Sequence, residues 1–216
     1  GEVGHTQEAK KELIDIVEFA TSDDVFITPK PTRLLQRILQ IATDRDSLIL
    51  DSFAGSGSTA HAVMKQNSQD GGKRKFILVQ LPEPTEREDY PTIADITKER
   101  LRRAGKKVRE ENPMFTGDLG FRVFKLASSN ILAWEPDREN LAETLEASIE
   151  HLKTDRTEQD ILFELLLKLG LNLCVPIETR KVQGGKKQSH DIHSIGGGSL
   201  LVCLSPAIPQ ADVEPL

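Results

Sequence analysis

Hydrophobic positions in the first half of this chain form short continuous runs that alternate with helical stripes. Residues 32–42 place their apolar side chains at helical spacing, which predicts a helix. Continuous apolar runs at 48–53 and 76–81 predict two buried strands, separated by a helix from about Ser58 to Lys65. Apolar strands joined through a helix are typical of a parallel sheet that is covered on both faces.

Three further segments of the first half show the patterns of regular elements. Helical spacing over residues 8–17 predicts a leading helix. Thr92-x-x-Asp95 resembles a capping box, which predicts a long helix from there to about Glu110. Residues 120–125 alternate between apolar and polar positions, which predicts a third strand.

The pattern changes after Ser128. Helices are predicted near 138–152 and 157–169, and strands of a small meander at 171–175, 189–194 and 200–204. We therefore expect an α/β fold with an incomplete doubly wound sheet, followed by a small α+β unit.

Composition narrows the class of protein. The length of 216 residues allows one domain and a second small one, and the net charge of −6 disfavours a nucleic-acid binder that relies on a broad basic surface. No apolar run approaches the length of a membrane span, and no secretory signal opens the chain. The two cysteines, Cys174 and Cys203, stand in apolar runs and are interpreted as small buried hydrophobes, so a reducing cytoplasm is the expected location.

The run from Leu48 to Ala60, LILDSFAGSGSTA, is the strongest candidate for chemistry. An apolar strand ends in Asp51, and a turn with Gly55 and Gly57 leads into a helix of small residues. Glycines allow a tight turn and close approach of the backbone to a ligand, and the helix start offers free N–H groups. This arrangement is typical of a doubly wound domain that binds an adenosine-type cofactor.

The same letters also match the dinucleotide fingerprint G-x-G-x-x-A, which is a weak signal by itself. Asp51 precedes the first glycine, where it suits an amine-bearing ligand better than a pyrophosphate. Upstream stands FITPKPTRLLQRIL over residues 26–39. Its order and content resemble motif X followed by motif I of the DNA amino-methyltransferases.

Several further segments, in the same order, resemble the C-terminal part of the modification subunits of type III restriction-modification systems. They are GHTQEAKKEL from residue 4, FILVQLPE from residue 76, TIADITKERLRRAG from residue 92, GFRVFKLASSN from residue 120 and SIGGGSLLVC from residue 194. The resemblance covers most of residues 5–205. Ser58 departs slightly from the family, where threonine is commoner.

The resemblance implies S-adenosylmethionine as cofactor and an adenine exocyclic amine of DNA as target. The cofactor-binding residues would be Lys30, Pro31, Thr32, Asp51, Phe53, Gly55, Gly57, Ser58 and Glu83. Asp51 would face the amino-acid end of the cofactor, and Glu83 would accept hydrogen bonds from the ribose hydroxyls. Lys30 would lie near the methionine carboxylate. The alternatives are an ordinary surface lysine at Lys30 and a solvated turn acid at Glu83.

The methyl-transfer loop of this class, Asp/Asn/Ser-Pro-Pro-aromatic, has no counterpart in the chain. No Pro-Pro pair occurs, and Ser205-Pro206-Ala207 lacks both the second proline and the aromatic residue. In the β-type order of motifs that loop precedes motif X. We therefore expect no catalytic residue in this chain, and no methylation of DNA by the chain alone.

Two other groups of residues are interpreted as structural and not as functional sites. The cations of the helix at 98–109, Arg100 among them, are interpreted as a solvated helix face rather than a phosphate-contacting one. His190 and His193 are three apart on a predicted strand, where they would face opposite sides, so no metal site is expected.

Three functions remain open. The first is the cofactor-binding portion of an adenine-N6 DNA methyltransferase, and the second is a non-catalytic module that docks to restriction-system subunits. The weakest is a nicotinamide-dependent oxidoreductase. The resemblance implies three partners: DNA through the full-length protein, a restriction subunit and a second modification subunit. No membrane partner is expected. The expected domains are 1–27 as a leading helix and linker, 28–127 as the cofactor-binding part and 128–216 as the small domain.

Overall fold

A computed structural model describes residues 4–20, 28–147, 149, 151–183, 189–205 and 207–212. It divides the chain into two compact units, Gly1–Phe121 and Arg122–Leu216. The sequence places the boundary between 127 and 128, a few residues further along. Phe26 and Ile27, the first two residues of the run that resembles motif X, lie outside the described residues, and so does Pro206.

The first unit is built around a two-stranded parallel sheet. Its elements in chain order are helix α1 (Thr6–Ile16), helix α2 (Thr32–Ala42), strand β1 (Leu48–Asp51), helix α3 (Ser58–Asp70), strand β2 (Lys75–Leu78) and helix α4 (Ile93–Glu111). Strands β1 and β2 pair in register from Leu48 opposite Lys75 to Asp51 opposite Leu78. Because α3 connects two parallel strands, β1–α3–β2 is a βαβ unit.

Helix α3 is the centre of the first unit's packing, because it contributes to two apolar clusters. One cluster joins α3 to α4 through Ala60, Met64, Leu101, Ala104, Val108 and the following Leu119. The other joins α3 to α2 through Leu39, Ala62 and Val63. Helix α1 packs separately on α4, where Leu13, Ile16 and Val17 surround Ile96.

The sheet of the first unit is covered on one face only within the described residues. Ile49 and Phe76 pack beneath the helices. Their neighbours point the other way, and Leu48 and Leu50 are 62% and 64% exposed while Ile77 is 48% exposed. The continuous apolar runs predicted cover on both faces, and this is wrong for the part of the chain that the structure describes. The strands are therefore apolar on a face that the described residues leave exposed.

The third strand predicted at residues 120–125 is absent from the described structure, where this stretch has no regular hydrogen-bond pairing. Phe121 packs against the α3–α4 cluster of the first unit. Arg122 belongs to the second unit, where its guanidinium donates to the carbonyls of Leu173 and Val175 at 2.6 and 3.2 Å. Alternating polarity indicates an extended segment, but a strand also needs a neighbouring strand to pair with.

The second unit combines two helices with a three-stranded antiparallel sheet. The elements are α5 (Leu141–Ala147), α6 (Glu158–Lys168), β3 (Ile177–Gln183), β4 (Ser189–Ile195), β5 (Leu200–Cys203) and a 3₁₀ turn (Gln210–Asp212). The strand order is β3–β4–β5. Leu162 and Leu166 of α6 pack on Ile195 of β4 to form the core.

The first strand of this meander begins later than predicted. Residues 171–175 follow the end of α6, where Gly170 adopts a φ of 69° and the Leu171 N–H donates to the Leu166 carbonyl. This stretch therefore terminates the helix, and the strand starts at Ile177, after Pro176. Both units together make a mixed α/β protein. No helix in the described ranges is long and apolar enough to cross a membrane.

The capping box predicted at the start of α4 is confirmed. The Thr92 hydroxyl accepts from the Asp95 N–H at 3.2 Å, and the Asp95 carboxylate accepts from the Thr92 N–H at 3.0 Å. We expect Thr92→Ala to lower the free energy of opening of the first turn of α4 by about 1 kcal/mol. Hydrogen exchange of α4 peptides measures this loss. Thr157→Ala, which removes the equivalent box of α6, is the control and should leave α4 exchange unchanged; an unchanged α4 in Thr92→Ala would contradict the prediction.

Candidate cofactor site

The carboxyl ends of β1 and β2 continue to pair beyond the strands themselves. The Val79 N–H donates to the Asp51 carbonyl at 2.9 Å, and the Ala54 N–H donates to the Val79 carbonyl at 3.1 Å. The chain that follows β1 is therefore held beside the chain that follows β2. This is the edge of a parallel sheet at which ligands of doubly wound domains bind.

The Asp51 side chain organises the loop that follows it. Its carboxylate accepts from the Phe53 N–H at 3.1 Å and from the Thr59 hydroxyl at 2.5 Å. Asp51 thus ties the end of β1 to the first turn of α3. A carboxylate with these bonds retains lone pairs for a further donor.

Gly55 and Gly57 both adopt left-handed backbone conformations, with φ of 53° and 76°. The Gly55 N–H donates to the Gln80 side-chain oxygen at 2.8 Å, and the Gly55 carbonyl accepts from the Thr97 hydroxyl at 2.5 Å. Side chains from the end of β2 and from α4 therefore hold this peptide on both sides.

Gly57 is close to helix α4. A Cβ atom at Gly57 would lie 2.7 Å from Cδ1 of Leu101 and 3.1 Å from Cγ2 of Thr97. The sequence predicted close approach of a ligand at both glycines, and at Gly57 the structure has a helix as the close neighbour. The absence of a side chain there lets α3 and α4 pack.

Three of the predicted site residues present their side chains to solvent. Phe53 is 89% exposed, although it is the large apolar side chain of the loop. Lys30 and Glu83 are also exposed. The Glu83 carbonyl accepts from the Ile93 N–H at 2.9 Å, which fixes the backbone of Glu83 at the start of α4.

Two others, Thr32 and Ser58, turn their side chains into a buried polar cluster around Arg100. Arg100 is fully buried, and Thr32 and Ser58 are 1% and 5% exposed. The Arg100 guanidinium donates to the hydroxyls of Ser56 at 2.9 Å and Ser58 at 2.8 Å. It also donates to Thr32 at 3.3 Å and to Glu12 at 3.4 Å, so residues of α1, α2, the glycine loop, α3 and α4 meet at one guanidinium.

Burial dominates the electrostatics of this cluster. It lowers the pKa of Arg100 to about 10, with Glu12 acting in the opposite direction. Burial also lowers the pKa of His61 well below its ordinary value, and the charge of Arg100 adds to that effect. His61 Nδ1 lies 3.5 Å from the Thr32 hydroxyl. Because its pKa is lowered from 6.5, the neutral form of His61 is favoured at pH 7.

Pro31 and Thr32 also border a cleft of about 250 Å³. Its other walls come from α1, through Glu8 and Glu12, and from α3, through Lys65. No residue of the glycine loop lines this cleft. The structure therefore links the motif X residues to the glycine loop through Arg100 and not through a shared cavity wall.

Sequence reasoning missed three residues that shape the loop: Gln80, Thr97 and Arg100. Counting Arg100 among the solvated cations of α4 was wrong. Its position gives the signal, because Ile96, Arg100, Ala104 and Val108 recur every four residues and share the buried face of the helix. Thr97 lies on the same face.

Five other cations of α4, namely Lys98, Arg102, Arg103, Lys106 and Lys107, form ion pairs on the outer side of the helix. Lys98 pairs with Asp95 at 2.7 Å and Arg103 pairs with Glu99 at 2.6 Å. Lys106 lies 3.8 Å from Glu110 and Lys107 lies 3.9 Å from Glu111. These pairs are three or four residues apart on one helix, which is how exposed helices balance their charge.

His190 and His193 of β4 have separate hydrogen-bond partners, and the two cysteines of the second unit differ in burial. His190 is hydrogen-bonded to Ser205 at 2.9 Å and to Asp212 at 3.2 Å, whereas His193 lies 3.0 Å from the Thr179 hydroxyl. Cys174 is exposed, so its interpretation as a buried hydrophobe was wrong, and Cys203 is partly buried. Cys174 stands in the segment that ends α6 and not in a buried strand.

Comparison with known proteins gives the family that this part of the chain resembles. Residues 3–99, which include α1, the glycine loop and the start of α4, match a family model described as DNA methylase. The match therefore spans every residue predicted to bind the cofactor.

Individual relatives narrow the class further. The chain is 43% identical over 132 residues to the Mod subunit of the type III restriction-modification enzyme StyLTI of Salmonella typhimurium, covering 58% of this chain and 20% of that protein. It is 40% identical over 107 residues to the EcoP15I Mod subunit of Escherichia coli, covering 47% and 15%. The type II methyltransferase M.KpnI of Klebsiella pneumoniae is 39% identical over 103 residues, covering 45% and 24%.

These matches confirm the resemblance that the motifs predicted. The chain is related to the modification subunits of type III restriction-modification systems. It spans a quarter or less of the length of these relatives.

Proposed function

We propose that this chain supplies the S-adenosylmethionine-binding part of a DNA adenine-N6 methyltransferase of a type III restriction-modification system, with a Rossmann-like arrangement around β1–α3–β2. The observation that supports this most is the paired edge beyond β1 and β2, where the glycine loop is held against Gln80. Asp51 is the last residue of β1, Phe53 follows it, and Glu83 comes after the end of β2.

The exposed residues of that edge suit an adenosine-type cofactor. Phe53 offers an apolar ring that no other side chain of the described structure covers well, since 89% of it is exposed. Asp51 would receive the cofactor's ammonium group, and Glu83 would accept from the ribose hydroxyls. Gly55 would let the backbone approach the cofactor, while Lys30 and Pro31 would lie near the methionine carboxylate.

Thr32, Gly57 and Ser58 take an indirect part in this proposal. Their side chains or Cβ positions face Arg100 and α4, so they would shape the site and not touch the cofactor through side chains. The cofactor, when bound, supplies the methyl group for the target amine. The residues that accept the adenine amine would come from outside this chain.

Partners follow from the proposal. DNA would be bound by the full-length protein, together with a restriction subunit and a second modification subunit, in the cytoplasm. A second candidate function is a non-catalytic module that docks to such subunits. The uncovered apolar face of β1 and β2 favours it, because such faces bury themselves against other polypeptide.

Calorimetric titration of the 216-residue chain with S-adenosylmethionine tests the cofactor role. Glu83→Ala and Asp51→Asn are both expected to weaken binding by about tenfold or more, because each removes a charge-assisted hydrogen bond. Glu86→Ala on the same surface segment and Asp46→Asn at the other end of β1 are matched controls, since both carboxylates are exposed.

Four results test the proposal and its alternative. Binding by the wild type that is weakened only in Glu83→Ala and Asp51→Asn supports the proposed site. Binding that all four variants retain would contradict the assignment of residues. A folded wild type that does not bind would contradict the cofactor role of this chain and favour the docking module. Methyl transfer to unmodified DNA by the chain alone would contradict the expectation that this chain holds no catalytic residue.

A further inference from the structure

We infer that Arg100 is a positioning residue that fixes the glycine loop relative to the start of α2, and that affinity for the cofactor depends on this link. The inference rests on the proposed function, since it deepens the account of the same site. Arg100 faces no solvent and no exposed surface of the site, so any influence on a ligand must pass through the residues that it holds.

The geometry of the link is specific. Arg100 Nη1 donates to Ser56 at 2.9 Å and to Ser58 at 2.8 Å, the two residues that flank Gly57. Nη2 of the same guanidinium donates to Thr32 at 3.3 Å, the first residue of α2. The two nitrogens of a planar, rigid group therefore engage the two segments that are proposed to hold the cofactor.

A contribution to folding stability does not by itself explain why an arginine is buried at position 100. Burying a guanidinium is costly unless an anion compensates it, and Glu12 lies 3.4 Å away with a side chain that is 25% exposed. The Nε atom of Arg100 is buried with no hydrogen-bond partner in the described structure. An apolar side chain at this position of α4 would pack with less desolvation. A charged group in such a place contributes orientation, because each donor direction is set.

A variant of Ser56 distinguishes a positioning effect from the loss of a direct contact with a ligand. Its side chain is 2% exposed and its hydroxyl accepts from Arg100, so a cofactor has no access to it. Ser56 is also outside the predicted site residues. A loss of affinity in Ser56→Ala must therefore arise through the shape of the glycine loop.

The test compares Arg100→Met, Arg100→Lys and Ser56→Ala with Arg74→Met and Ser68→Ala. Arg74 is the matched control, because its guanidinium is also buried and bonded, to Asp70 at 2.9 Å and to Thr43 at 2.9 Å. Ser68 is the control for Ser56, since its hydroxyl donates to Lys65 on the same helix α3. Calorimetry measures affinity for S-adenosylmethionine, and hydrogen exchange measures the order of the loop.

We expect Arg100→Met to weaken binding by about tenfold or more and Ser56→Ala by severalfold, with partial rescue in Arg100→Lys. The exchange rates of the Gly57 amide in the loop, of the His61 amide in the first turn of α3, and of the Leu34 and Leu35 amides in α2 should rise together. Arg74→Met should destabilise the chain without changing the affinity of the folded fraction, and Ser68→Ala should change neither.

Folded Arg100 and Ser56 variants with wild-type affinity would overturn the inference, as would exchange that rises in only one of the two segments. If Arg100→Met does not fold, the affinity and exchange rates of Ser56→Ala and Arg100→Lys test the inference. Failure of the wild type to bind S-adenosylmethionine would contradict the proposed function and, with it, the part of the inference that concerns affinity. The link itself is then decided by whether exchange in the two segments rises together.

Discussion

Replacing Gly57 by alanine is expected to lower the free energy of unfolding of the first unit by about 2–5 kcal/mol. Two effects add. A non-glycine residue at a φ of 76° is strained, and the new Cβ would stand 2.7 Å from Leu101, which is buried in the core between α3 and α4. Displacement of α4 would also move Thr97 away from the Gly55 carbonyl, so cofactor affinity should fall with stability.

Gly71 provides the matched control for this prediction. It lies at the other end of α3 with a φ of 68°, and nothing stands within 4 Å of a Cβ placed there. Gly71→Ala is therefore expected to lose only the conformational part, about 1–2 kcal/mol. The double variant Gly57→Ala/Leu101→Ala should lose less than the sum of its single variants, because the shortened side chain makes room.

Urea unfolding of protein labelled with 3-fluorotyrosine measures these losses selectively. The single tyrosine, Tyr90, lies in the first unit. Equal losses in Gly57→Ala and Gly71→Ala would show that the contact between α3 and α4 accommodates a methyl group, and would contradict the packing argument.

The elements that sequence predicted well are those whose signals are local. Helix α2 was predicted over 32–42 and is found at Thr32–Ala42, because its apolar stripe is defined by residues one turn apart. The capping box of α4 involves only Thr92 and Asp95. The glycine loop is likewise contiguous, and the resemblance to a known family that it supports is confirmed.

The errors arose where the structure depends on distant pairing. Residues 120–125 alternate like a strand, but no neighbouring strand pairs with them in the described structure. Apolar runs in β1 and β2 predicted a sheet covered on both faces, and the described residues cover one face. Periodicity shows which side of a segment is apolar, but it does not show which element packs against that side.

The candidate site shows the same division between local and distant information. Asp51, Phe53 and Glu83 could be placed at the strand ends from sequence, and their roles toward the cofactor stay predictions. Arg100 could not be assigned by counting charges, since its environment is set by residues 39 to 88 positions away. Only its place on the apolar face of α4 distinguishes it from the paired cations around it.

Acidification is expected to destabilise the first unit through His61. Because burial and the charge of Arg100 hold the pKa of His61 well below 6.5, the folded state keeps this ring neutral where the unfolded chain takes up a proton. The unfolded state therefore binds more protons below about pH 6.5, and the free energy of unfolding falls as the pH falls. For a ring that stays neutral in the folded state throughout, the loss between pH 7.5 and 5 reaches about 2 kcal/mol.

Carboxylates with a lowered pKa change the free energy of unfolding in a more acidic pH range. Asp89, whose pKa is lowered to about 2 mainly by its hydrogen bonds with Arg87, loses its contribution only as the pH falls below the value of an unfolded carboxyl group. Asp95 and Glu99 shift in the same direction through their pairs with Lys98 and Arg103. Stability lost between pH 7 and 5 therefore reports on the buried histidine.

Urea unfolding of the fluorotyrosine-labelled chain at pH 7.5, 6.5, 5.5 and 5.0 measures this dependence. His61→Gln should lower stability at pH 7.5 and abolish most of the slope between pH 6.5 and 5. His151→Gln, at an exposed position of the second unit, should keep the full slope. A slope that persists in His61→Gln would assign the acid sensitivity to another group and would contradict a neutral His61 beside Arg100.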